Sequence, residues 1–171
     1  MLDIYQIQTA TQPDSHLTDS VHNVYSWWIN ETGVIKMGAW SEETFGNDIA
    51  CDWADAFLGE PTLTALEKAV RAVLHEDGYI DSDVASECLA ACEVIARQQG
   101  RWGLRNHYSQ ELDTWIENNP MIIPHELRRQ AVTAINMVLS ESSELYELWF
   151  ESDSYEAWVD AAEDLRQRIK G

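Results

Sequence analysis

Residues 154–170, SYEAWVDAAEDLRQRIK, decide the fold class. Tyr155, Trp158, Val159, Ala162, Leu165 and Ile169 recur three and four residues apart, the spacing that lines one side of an α-helix with apolar groups. Arg166, Arg168 and Lys170 gather in the last turn, where cations complement the carbonyl end of the helix dipole. A strand would throw the same apolar groups onto both faces of a sheet.

The same pattern recurs upstream, each time between punctuation residues. Asn47 reads as the cap of a helix over 48–58 that ends at Gly59, with Ile49, Trp53, Ala56 and Phe57 inward. Pro61 and Thr62 open a helix over 63–76 with the stripe Leu63, Leu66, Val70, Val73 and Leu74, stopped by Asp77-Gly78. Ser82 is expected to cap a third helix over 83–99, with Ala85, Cys88, Leu89, Cys92 and Ile95 inward and Gly100 at its end. A loop over 101–108 follows, then a short helix over 110–118 capped by Ser109 and broken at Asn118-Asn119-Pro120. Pro124 suits the first residue of a fifth helix with Leu127, Ala131, Ala134, Ile135 and Val138 inward. Ser142 or Ser143 starts a further short helix bearing Leu145, Leu148 and Trp149. The expectation is an all-α protein, an irregular bundle of six or seven helices forming a single domain over 37–171. Residues 1–36 read as an N-terminal extension, either a small hairpin (Val24 to Ile29, a turn at Asn30–Gly33, then Val34 to Lys36) or an arm.

Charge narrows the function classes. Among 171 residues, 30 are acidic and 11 basic, a formal net charge of -19. Nucleic acid is excluded as a direct partner, because neutralising phosphates takes Lys and Arg. Anionic lipid is excluded for the same reason, and no apolar run is long enough to span a membrane. A negative field attracts a basic protein and speeds its arrival. No Lys or Arg occurs from Ala131 to Leu165, or from Met37 to Glu67. Glu144, Glu147 and Glu151 are spaced to lie along one helical ridge. With Asp153 and Glu156 as the acidic rim and Tyr146 or Phe150 as the aromatic anchor, they are the candidate partner-binding residues.

Other constellations are thinner. Asp48, Asp52 and Asp55 share one side of a helix and are the candidate ligands for a hard cation. The plainer reading of the three is a solvated face with Asp48 on the helix dipole. Of five histidines, none lies within helical reach of another; His107, in a loop with Trp102, is the one best placed for function, whereas His75 reads as a helix-end dipole partner. Cys88 and Cys92 stack four apart and read as small buried groups, and the acidic neighbours of Cys51 raise a thiol pKa. Three cysteines without a pairing pattern fit a reducing, cytoplasmic setting. The N-terminus has no secretory character. Most of the eight tryptophans fall on apolar stripes and should be core; Trp27 and Trp28 are adjacent, so one is available to a partner. No catalytic motif and no cofactor motif is present in the sequence.

Met37-Gly38-Ala39-Trp40, then Phe45, Asn47-Asp48, Ala50 and Asp52-Trp53, resemble the opening of a bacterial family, the domain of unknown function 4259. The resemblance runs on through Tyr79-Ile80, Ala90 to Ala96, Ser143-Glu144-Leu145, Trp149, Trp158 and Asp164-Leu165, covering about residues 37–169. Ser41 stands where the family usually has Gly. The resemblance implies no activity and carries over no catalytic residue. From charge and aromatics the expected function is an acidic interaction module, an immunity or inhibitor protein that covers a basic toxin or nuclease, and not an enzyme. The alternatives are a structural, homo-oligomeric protein and a metal-dependent protein using Asp48, Asp52 and Asp55.

Overall fold

The computed structural model describes residues 41–171, and the hairpin-or-arm reading of 1–36 lies outside them, as do Trp27, Trp28 and Trp40. Among the described residues the fold is all-α. Its helices are α1 (Asp48–Gly59), α2 (Leu63–Leu74), α3 (Ser82–Gln98), α4 (Gln110–Asn118), α5 (His125–Val138), α6 (Glu144–Phe150) and α7 (Tyr155–Lys170).

The organising element is α3, which packs against each of the other six helices. From Ala85 to Arg97 every residue except Glu87 is buried. The expected inward stripe of five is thus widened to the whole circumference, as befits a helix at the centre of a bundle. Its composition permits this: Ala85, Ser86, Cys88, Ala90, Ala91, Cys92 and Ala96 are small, so neighbouring helices approach closely on all sides.

Helix ends follow capping chemistry, with some shifts from expectation. The Asn47 and Thr62 side chains accept from the amides of Ala50 (2.8 Å) and Ala65 (3.2 Å). At α3 the cap is Asp81, not Ser82; its carboxylate accepts from Asp83 N at 2.9 Å. Ser109 precedes α4 but makes no capping bond, because its hydroxyl donates to the Asp113 carboxylate at 3.0 Å. Pro124 stands just before α5 rather than within it. α2 stops at Leu74, two residues early, and the turn beyond it uses Gly78 at φ 145°. Along α1 the buried face is Ala50, Ala54 and Phe57; Ile49 and Trp53 are half-buried and Ala56 is exposed. That face lies one residue, about 100°, round from the one expected.

The 17 residues of α3 separate two ends of the molecule by about 25 Å. At its N-terminal end the turn before it meets the start of α6. Ile80 N donates to Ser142 O at 2.8 Å and Ile80 O accepts from Glu144 N at 2.9 Å, giving an isolated parallel bridge between Ile80 and Ser143. At its C-terminal end lie the loop over 101–109, the turn over 119–124, the start of α5 and the end of α7. Arg97 donates to Leu104 O at 3.0 Å, Gln98 to Asn119 O at 3.1 Å, and Arg128 to the Gln99 side chain at 3.2 Å.

Candidate functional site

α6, the turn after it and the first turn of α7 carry the expected partner-binding residues. Phe150 is 62% exposed at the end of α6. Tyr146, one turn earlier and half-buried, stacks on it with centroids 5.8 Å apart and planes 14° apart. Tyr155, from the start of α7, meets the edges of both rings, at 5.3 Å from Phe150 and 5.7 Å from Tyr146. Behind them Trp149 and Trp158 are buried and stacked at 6.0 Å. Phe150 is therefore an exposed aromatic side chain on a firm aromatic platform.

Glu147 of α6, Glu151 and Asp153 of the turn after it, and Glu156 of the first turn of α7 are all exposed. Glu144 has a different job. It is half-buried, and its carboxylate accepts from Ser82 N at 3.0 Å, so it fastens α6 to the first turn of α3. Glu147 accepts the Tyr79 hydroxyl, and that hydrogen bond, with smaller contributions from burial and the charges of Glu147 and Glu144, pushes the Tyr79 phenol up to about 12. The Tyr146 phenol is likewise raised, chiefly by its hydrogen bond with Tyr155. Tyr79 (48% exposed) and Leu148 (38% exposed) extend the apolar surface beside the rim.

The alternative constellations stay apart from this end. Asp48 is half-buried, and Asp52 and Asp55 are exposed on α1; among the described residues no group of three His, Cys, Asp or Glu side chains is placed to hold a metal ion. His75 follows the last residue of α2, as the dipole reading expected. His107 is exposed with its ring 3.7 Å from that of Tyr108. Cys88 and Cys92 are fully buried, and the Cys92 thiol is held well above its ordinary value by its hydrogen bond with Cys88 and by burial. Burial, more than Asp48, Asp55 and Asp52, raises the Cys51 thiol. Neither the Cys51 nor the Cys92 thiol is poised as a thiolate.

Sequence reasoning missed the densest polar cluster. Glu93, Arg97, Ser109 and Asp113 are all at least 96% buried. Arg97 donates to Glu93 at 3.0 Å, to Asp113 and to Leu104 O. Arg168 of α7 reaches Glu93, Asp164 (2.6 Å) and Arg101 O (3.3 Å). Burial opposes the Arg168 charge, but Glu93 and Asp164 outweigh it and its pKa is raised. Arg105 lies over the Trp102 ring at 4.5 Å and bonds Asp113 at 3.3 Å and Glu117 at 2.7 Å. Every charge here is matched, so the cluster ties α3, α4, α7 and the 101–109 loop together rather than offering a reactive group. The signal was present in part: Glu93 and Arg97 stand four apart inside an otherwise apolar run.

Two concavities lie on the surface of the described residues. A cleft of about 20 Å³ lies between residues 41–47 and the α6–α7 pair, with room for about one water. Glu43 lines it, its carboxyl raised by burial and by Glu93 and Glu42, with Arg168 opposing. An open groove of about 610 Å³ runs along α4.

The sequence comparisons agree with the resemblance noted from the motifs. The model of the domain of unknown function DUF4259 matches residues 38–161. Neither the curated proteins nor the solved structures give a match.

Proposed function

We propose, for a chain that belongs to the domain of unknown function 4259 family, that it is an acidic interaction module which binds and neutralises a basic protein, as an inhibitor or immunity protein does for a toxin or nuclease. The observation that carries this reading is Phe150, 62% exposed on its aromatic platform within a rim of Glu147, Glu151, Asp153 and Glu156. An exposed, fixed aromatic ring supplies affinity once desolvated in a partner's pocket. The carboxylates supply register and arrival rate, and they present the charge that a basic groove is built to hold. Glu144 is left out of the rim because it is half-buried and holds the Ser82 amide, whereas Glu147 stays exposed beside its Tyr79 partner.

The test is capture from the host's lysate at low and high salt, followed by titration of the captured protein's own activity. Expected is one basic protein, retained at low salt and released at high salt, whose activity falls as the chain is added. Phe150→Ala should weaken binding about tenfold or more, as a central aromatic anchor does. Retention that ignores salt and survives Glu151→Lys with Glu156→Lys would overturn the proposal.

A further inference from the structure

The C-terminal end of α3 is electrically unlike the rest of the molecule. From Arg97 to Arg129 the chain carries Arg97, Arg101, Arg105, Arg128 and Arg129 against Glu111, Asp113, Glu117 and Glu126, a local balance of +1 in a chain of -19. The last turn of α7 adds Arg168 and Lys170 to the same end, matched by the Glu93 and Asp164 carboxylates that Arg168 bonds, so the local balance is unchanged; Arg168 also bonds Arg101 O, and Gly171 lies beside the Arg101 guanidinium.

This end also displays apolar side chains. Ile122 is 92% exposed, Leu104 54% and Tyr108 42%. Leu104 and Tyr108 precede α4 and Ile122 follows it; the lining of the open groove along α4 runs in chain order from His107, next to Tyr108, to Asn119, just before the turn that carries Ile122, and includes Glu111, Thr114 and Trp115. The loops that carry them are pinned. Arg97 holds Leu104 O, the Asn106 side chain accepts from Tyr108 N at 2.9 Å, and the Gln98 amide donates to Asn119 O while accepting from Met121 N at 2.8 Å. Pro120 and Pro124 bracket the Ile122 turn.

We infer that this face is the interface of a homodimer related by a two-fold axis, in which Ile122 of each copy enters the α4 groove of the other. The occupant follows from charge. Two copies of a -19 chain repel wherever acidic rows come within the screening length, about 8 Å at physiological salt. The balanced end is where a second copy approaches without that repulsion. A basic protein is drawn instead to the acidic end, and nucleic acid is repelled by the whole. A two-fold interface is self-complementary, so the knob and groove on one copy serve both contacts. Arg129 and Glu126 are already paired within each copy, which leaves Arg101 of one copy to face Glu111 of the other. This inference is independent of the proposed function, since it uses the opposite end of the molecule.

Sedimentation velocity across a wide concentration range tests it, at low and high salt. The expected result is a monomer–dimer equilibrium that holds or tightens as salt rises, because salt screens the residual repulsion and leaves apolar burial intact. Ile122→Glu should weaken the dimer about tenfold or more, with Leu104→Glu as a second probe; both side chains are exposed, so the fold survives. Phe150→Glu, at the other end, should leave the dimer unchanged. A monomer at every concentration, a dimer indifferent to both substitutions, or longer head-to-tail assemblies that dissolve in salt would each overturn the inference.

Discussion

Replacing Arg97 with Met leaves the bulk of the side chain and removes its charge from the centre of the bundle. Arg97 is 2% exposed and sits between Glu93 and Asp113, which are 4% and 2% exposed. Breaking a buried ion pair from one side costs about 3–5 kcal/mol, because the remaining charge keeps its desolvation penalty. Here Arg168 still reaches Glu93 and Arg105 still reaches Asp113, so the low end applies, about 3 kcal/mol. At about 3 °C per kcal/mol for a chain of this size, thermal unfolding should shift down by about 9 °C. Arg105→Met is the control. Arg105 also bonds Asp113 but is 47% exposed, so water takes over its charge and its loss should shift unfolding far less than that of Arg97. Adding Asp113→Asn to Arg97→Met should recover part of the loss, because it removes the carboxylate left short of a partner. Calorimetry or thermal circular dichroism measures all three. An Arg97→Met shift no larger than that of Arg105→Met would refute the reasoning and mean that water solvates the cluster.

Further consequences follow from the turn before α1 and from the acidic end. A Cβ on Gly46 would meet Ser41 O at 2.6 Å and Glu43 O at 2.9 Å, both backbone atoms that cannot swing aside. Gly46→Ala should therefore cost about 1–3 kcal/mol, measured as a lower midpoint in urea. The Tyr79 phenol, pushed up to about 12 from 10.0 by its bond to Glu147, gives the contact a defined pH window. The folded-state pKa is the higher one, so the contribution is fully present below pH 10.0 and is lost as pH rises through about 12. An ultraviolet titration of the phenolates should lose its highest step in Tyr79→Phe and see that step fall in Glu147→Gln; an unchanged profile in both would count against the contact.

The helices were legible because their boundaries are written in local chemistry. Asn47 and Thr62 act through their own side chains within three residues, so sequence suffices to place them. Where the expectation slipped, a distant residue had intervened. Ser109 looks like a cap until Asp113, itself held by Arg97 from α3, takes its hydroxyl. Ser82 looks like a cap until Asp81 takes that role and Glu144 takes the Ser82 amide from 62 residues away. The centrality of α3 was legible only in part. A stripe of five apolar positions is what an amphipathic helix shows. The burial of Glu93 and Arg97 depends on Asp113 and Arg168, for which no spacing rule exists. At the acidic end, the i, i+4 pair Tyr146 and Phe150 could be read from spacing. That Tyr155 would complete their platform from another helix could not.

The arrangement of charge along α3 makes the two proposed associations respond oppositely to the same variable. Glu144 and Tyr79 stand at one end of that helix, and Arg97, Arg101 and Arg128 at the other, about 25 Å away. That separation is about three screening lengths at physiological salt, so neither end feels the charges of the other. Capture of a basic partner at Phe150 depends on unscreened carboxylates and must weaken as salt rises. Self-association at Ile122 is opposed by the net charge of -19 and favoured by apolar burial, so it must hold or strengthen. A single salt series on the wild-type chain, read once for partner and once for dimer, therefore separates them. If both associations moved the same way with salt, the charge separation along α3 would not be what governs them. The aromatic platform and the α4 groove would then have to be tested as ordinary apolar contacts, by Phe150→Ala and Ile122→Ala.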